Sequence, residues 1–154
     1  MKKLITICLF MATTFTLNAQ TVYKADDLSG NFLKETFENA SITVLETKTD
    51  YIKSKDIFDF YVDIDEKKRF VSFSGTFLLV DGTSREKALE LINKFNTEII
   101  AVKSHYISSE NAIAVYYYFW TEGGFTKPSM LKSYKLMSVA VNLMLSKDTE
   151  KIMK

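Results

Sequence analysis

The chain has 154 residues, a formal net charge of +1, one cysteine and one histidine. That length is one domain's worth. Its charges are interspersed with no basic stripe, so the electrostatic footprint of a nucleic-acid binder is missing. Five Gly and one Pro argue for dense regular structure over a disordered stalk.

The first stretch, MKKLITICLFMATTFTLNAQ, differs from the rest. Lys2 and Lys3 make a positive n-region, Leu4 to Leu17 an apolar run, and Ala19 a small residue before Gln20. This is the layout of a cleaved secretory signal. The run is too short and too interrupted by Thr for a membrane span of about 20 residues. Residues 1–19 are therefore expected to be a signal peptide and 20–154 a single domain. That domain is expected to be periplasmic or secreted, with no stable membrane anchor after cleavage. Cys8 follows Ile7 rather than a small residue, which argues against lipid attachment. Without the signal the chain has no cysteine, so neither a disulfide nor thiol chemistry is available.

In the mature chain, Leu28, Phe32, Leu33, Phe37 and Ala40 recur at helical spacing over 26–40, with Asp26 and Asp27 where a helix start tolerates negative charge. Ile42 and Val44 alternate with Thr43, predicting a strand near 42–47; whether it continues through Tyr51-Ile52 is ambiguous. Residues 57–65 alternate cleanly, with Phe58, Phe60, Val62 and Ile64 on one face and Ile57, Asp59, Tyr61 and Asp63 on the other, as in a strand with one wet face. A two-residue turn at Glu66-Lys67 would return the chain into a strand over 69–80 and set Val62 against Val71 and Phe60 against Phe73. The apolar sides then coincide, as pairing requires. Asp81-Gly82 ends that strand, and Thr83 with Glu86 forms a capping-box pattern. The helix that follows carries Ala88, Leu91, Ile92 and Phe95 on one face.

A second hairpin spans 99–121. With Ser109-Glu110 at its turn, Val102 faces Tyr117 and Ile100 faces Phe119. The core side is then Ile100, Val102, Tyr106, Ile113, Val115, Tyr117 and Phe119. The outer side holds Ala101, Lys103, His105, Ala114, Tyr116, Tyr118 and Trp120. The aromatic run from Tyr116 to Trp120 is thus divided between two faces. Gly123-Gly124 permits a sharp turn, Thr126 is placed to cap a helix, and Pro128 fits its first turn. That helix, about 127–148, has two apolar stripes: Met130, Tyr134, Met137, Val141 and Met144, then Leu136, Val139, Ala140 and Leu143. Two stripes exceed one packing surface, so the helix is either deeply buried or meets another subunit. Successive hairpins predict an α+β domain, an antiparallel sheet of about five strands in the order α-β-β-β-α-β-β-α.

The stretch from Ala88 to Leu131 resembles the YbjN family of small bacterial proteins. The resemblance rests on Asn93-Lys94-Phe95-Asn96 at a helix end, a hairpin with an apolar second strand, and Gly123-Gly124-Phe125-Thr126 opening the last helix. It extends over roughly residues 28–148. It implies a fold like the type III secretion chaperones, which are often dimers that bind extended protein segments, and a role in sensory-transduction regulation. It brings no catalytic residue with it. The export signal departs from the cytoplasmic setting of secretion chaperones.

Residue chemistry adds little that is reactive. A lone His105 cannot build a triad. Asp59, Asp63 and Asp65 lack the spacing of a calcium loop, and a chain with one His and no mature Cys has no zinc spacing. No phosphate loop or nucleophile elbow occurs. No catalytic, cofactor-binding or metal-binding residue is assigned, and no cofactor is expected. The candidate partner-binding group is Tyr116, Tyr118 and Trp120 with Lys103 and His105, since Tyr and Trp are enriched at binding hot spots; these aromatics are otherwise covered by the first or last helix. The expected function is that of an exported, non-enzymatic protein- or peptide-binding domain, homodimeric and not a binder of nucleic acid. The alternative is a small periplasmic enzyme or ligand carrier with a pocket between sheet and helix.

Overall fold

A computed structural model of the chain describes residues 21–154. The expected signal peptide, residues 1–19, lies outside the described residues. After a 3-10 turn at Ala25–Asp27 come α1 (Gly30–Glu38), β1 (Thr43–Thr47), β2 (Tyr51–Lys55), β3 (Asp59–Ile64) and β4 (Phe70–Leu78). Then follow α2 (Arg85–Glu98), β5 (Lys103–Ile107), β6 (Ala112–Trp120) and α3 (Lys127–Lys147). The strands form one antiparallel sheet in the order β1-β2-β3-β4-β6-β5. The first four make a meander; α2 then carries the chain across so that β6 pairs with β4 and β5 takes the edge. This is the α+β class read from the sequence.

The sheet has six strands, not five, because Tyr51–Lys55 forms its own strand. Its inward residues are Ile52 and Ser54, both fully buried. With only one of the two apolar, alternation is too faint to read. Leu45, at the bulge between Val44 and Glu46, breaks the regularity of edge strand β1, a device that discourages further pairing.

The β3–β4 hairpin keeps its predicted faces but not its predicted register. Val62 pairs with Phe73 and Ile64 with Val71, a shift of two residues. The turn is longer than the two residues expected. Asp65 N–H donates to Phe70 O at 3.0 Å, Lys68 N–H donates to Asp65 O at 2.7 Å, and Lys68 adopts φ 54°. Arg69 closes the turn with Nε 2.8 Å from Asp65 Oδ2. A shift of two preserves side-chain direction, so inward residues stay inward. In the β5–β6 hairpin the predicted register holds, with Lys103 opposite Tyr116 and Tyr106 opposite Ile113. Ile100, however, is 92% exposed, while Ile99 and Val102 are buried. Ala101 turns at φ 78° and β5 starts only at Lys103, so the alternation does not extend back to Ile100.

All three helices pack on one side of the sheet. Leu33 and Phe37 of α1, Phe95 of α2 and Met130, Tyr134, Met137, Val141 and Met144 of α3 join Phe60, Val62, Val71, Phe73, Ile113 and Val115 in one buried cluster. Burying each large apolar side chain contributes about 1.5–3 kcal/mol. Tyr134 is the centre of the cluster, edge-on to Phe37 (4.9 Å), Phe60 (5.6 Å) and Phe73 (5.7 Å). Its Oη lies 3.0 Å from Ser54 Oγ, which lies 3.2 Å from Phe60 O. Serine has one proton; Tyr134 donating to Ser54, and Ser54 to Phe60 O, satisfies all three groups.

Helix ends follow local chemistry. Ser29 caps α1 through Phe32 N–H. Thr126 caps α3 and Ser129 reciprocates. For α2 the cap is Ser84, accepting from Lys87 N–H, and not the Thr83–Glu86 box expected. Asn96, in the last turn of α2, accepts from Ser104 N–H at 2.8 Å and donates to Ser104 O at 3.1 Å. One amide thereby satisfies the outward N–H and C=O of Ser104 on edge strand β5, groups that would otherwise invite pairing. The tail after α3 returns to the sheet: Met153 bridges Leu79, and its N–H donates to Asp148 Oδ2 at 2.8 Å.

Candidate functional site

Strand pairing lines up the outer face in rows. Along one, Tyr51 (β2), Asp63 (β3), Ser72 (β4) and Tyr118 (β6) are successive partners. Along the next run Lys53, Tyr61, Ser74, Tyr116 and Lys103. Phe70 and Trp120 pair at one end. Side chains on one face of neighbouring strands are in reach of each other, and here they make a continuous aromatic surface. His105 stacks on Tyr116 at 5.3 Å and 11°, and Tyr116 on Tyr118 at 6.3 Å and 10°. Phe70 stands edge-on to both Tyr118 (5.3 Å) and Trp120 (5.5 Å).

Among the described residues no helix covers this surface. Tyr118 is 43% exposed, Trp120 62% and Tyr61 42%, whereas the other half of the run turns inward. Tyr117 stacks on buried Phe73 at 5.9 Å, and Phe119 meets Phe125 edge-on at 6.0 Å. The structure thus brings Tyr116, Tyr118, Trp120, Lys103 and His105 onto one face. The alternative, that a helix covers the aromatics, does not hold for the described residues.

Three neighbours belong with them that sequence reading did not select: Tyr61, Phe70 and Asp63. Alternation already placed Tyr61 and Asp63 on the wet face. What it could not supply was the pairing of β4 between β3 and β6, which sets these residues beside Tyr116 and Tyr118.

The face is electrically uneven. Lys53 sits 3.6 Å from Asp59 and 5.7 Å over the Tyr61 ring. At the other end Tyr51 Oη donates to Glu46 Oε1 at 3.0 Å. Burial pushes the Asp63 carboxyl above the usual carboxylate range, and the charge of Asp50 adds to the effect. Burial also raises the Tyr116 hydroxyl, with Tyr118 and Asp63 contributing.

Three cavities among the described residues lie at ends and turns. One of about 550 Å³ is lined by Leu28, Thr49, Ile64 and Lys68. One of about 400 Å³ lies at Gly30 and Lys48, and one of about 180 Å³ between α2 and the C-terminal tail at Lys87, Lys94 and Asp148. On α3 the first apolar stripe is buried. From the second, Ala140 is buried, but Leu136, Val139 and Leu143 are exposed.

No family model matches the chain, and no curated protein matches it by sequence. Among solved structures, the crystal structure of YbjN from E. coli, a candidate transcription regulator, superimposes with a TM-score of 0.67 at 11% identity, over 80% of this chain and 94% of that one. At that identity the likeness is one of fold. The chain therefore adopts a YbjN-like α+β fold.

Proposed function

We propose that the protein is an exported, non-enzymatic binding domain that captures a protein or peptide segment on the outer face of its sheet. The observation that carries this reading is the uncovered aromatic ladder from His105 through Tyr116 and Tyr118 to Trp120. An exposed apolar patch rimmed by polar residues is characteristic of an interaction site, and large rigid Tyr and Trp side chains supply contact area with little ordering cost. The adjoining Lys103 and His105 give the rim polar contacts. The ladder itself is a flat run of side chains on one face of the sheet, a shape suited to a docking segment more than to an enclosed small molecule. Export rests on the leader-like residues 1–19.

The test is capture from the cell envelope by crosslinking, with the mature domain and its Tyr118→Ser/Trp120→Ser variant. The expected result is a specific crosslinked partner with the wild type, none with the variant, and the same urea midpoint for both. Loss of stability in the variant would mean that the aromatics serve the fold instead.

The second surface is the exposed stripe of α3. Leu136, Val139 and Leu143 recur at i, i+3 and i+7, the spacing of a helix face that packs on another. We assign this stripe to a homodimer contact. Light scattering of the mature domain is expected to give twice the chain mass, and Val139→Lys/Leu143→Lys the single mass. A wild-type monomer at high concentration removes the dimer.

A further inference from the structure

We propose that the segment captured on the outer face carries an arginine, whose guanidinium pairs with Asp63 while lying against the Tyr116 and Tyr118 rings. This rests on the binding reading above and adds the partner's chemistry. Asp63 sits mid-row between Tyr51 and Ser72, with Tyr118 across the small Ser72 side chain, so a long planar side chain paired to Asp63 can pass over Ser72 to the Tyr118 ring. Among the described residues it has no ion-pair partner. The nearest lysine on the face, Lys53, is engaged with Asp59, and the nearby charge of Asp50 is of the same sign. A half-buried carboxylate with only a like charge beside it is costly in the free protein. A cation from outside would reverse that cost. Tyrosine faces beside a carboxylate suit a planar guanidinium, which stacks on rings and forms charge-assisted hydrogen bonds at its edge. Glu46 at this end is already taken up by Lys48, 3.5 Å away, and by Tyr51; Asp50 and Asp63 complement such a partner, and Asp63 is the one that shares a row with Tyr51 and Tyr118.

Trp120 is the only tryptophan in the chain and stands on this face, so its fluorescence reads occupancy directly. The probes are an oligo-arginine peptide and the same peptide with citrulline, which keeps the shape and removes the charge. Wild-type protein is expected to bind the arginine peptide at least about tenfold more tightly, in line with a charge-assisted contact. Asp63→Asn should abolish the difference, and Glu66→Gln, the same charge change on the β3–β4 turn, should keep it. Equal binding of the two peptides, or a preference that survives Asp63→Asn, would overturn the assignment. If crosslinked capture still depended on Tyr118 and Trp120 in that case, only the arginine would be lost and the docking face would stand. Free arginine binding as tightly as the peptide would overturn the peptide as occupant.

Discussion

Replacing Tyr134 tests whether α1 and α3 are held to the sheet through one shared aromatic centre. The side chain is fully buried and touches α1 through Phe37 and the sheet through Phe60 and Phe73. Tyr134→Phe keeps the ring and removes the donor to Ser54, leaving Ser54 still able to donate to Phe60 O. One net hydrogen bond is worth about 1 kcal/mol. Tyr134→Ala removes the ring as well and opens a cavity, at about 3–5 kcal/mol. Edge-on aromatic pairs, each contributing about 0.5–1.5 kcal/mol beyond burial, place the value toward the upper end. Against a total stability of about 5–15 kcal/mol, the alanine variant loses a third or more. The melting temperature should fall by roughly 4 °C for Phe and by roughly 15 °C for Ala. Urea unfolding followed by circular dichroism and by Trp120 fluorescence gives the free energies, with an unchanged m-value required for the comparison. An alanine variant within about 1 kcal/mol of wild type, or a phenylalanine variant as unstable as alanine, would refute this account of the core.

Asn96→Ala should leave Ser104 N–H and O without their partner and cost about 1–3 kcal/mol, with faster amide exchange at Ser104 as the local readout; protection equal to wild type would contradict the edge-covering role. Gly30→Ala should be strongly destabilising, by about 2 kcal/mol or more, because a Cβ there would lie 1.7 Å from Lys48 O; an unchanged urea midpoint would disprove the close approach of α1 to the β1–β2 turn. Asp63→Asn should stabilise the free domain at neutral pH. Its folded pKa is raised by burial and by Asp50, so stability is full below about pH 4 and falls as pH rises through the folded value. The variant's advantage should therefore be present at pH 7 and gone below the ordinary carboxylate range; a variant no more stable than wild type at pH 7 would rule this out. The same substitution that stabilises the fold is the one expected to weaken arginine binding, the usual opposition between a stable surface and a working one.

Much of this fold is legible because its signals are local. Alternation over 57–65 and 112–120 sets which residues face inward, since successive side chains on a strand point to opposite sides. Thr126 and Pro128 mark the start of α3 because capping involves only the first helical turn. The two faces of the Tyr116–Trp120 run follow from strand alternation, and the first α3 stripe from the 3.6-residue helical period. What escapes is decided over distance. The β3–β4 register shifted by two because Asp65, Lys68 and Arg69 build a longer turn, and both registers satisfy the same pattern. Strand β2 is recognisable only once Ile52 and Ser54 are seen buried in the core, Ser54 against Tyr134. Ile99 and Ile100 look alike in sequence; the turn at Ala101 makes one buried and the other exposed.

By itself the sequence determined the inward and outward sets of strands β3 to β6, the helix faces and the α+β class, because these depend on periodicity within a few residues. Tertiary structure alone decided that Asp63 and Tyr118, far apart in the chain, share a row, and that the helices left their face uncovered. The physical reason is that inter-strand pairing and helix placement minimise the free energy of the whole packed domain, a quantity no local window contains.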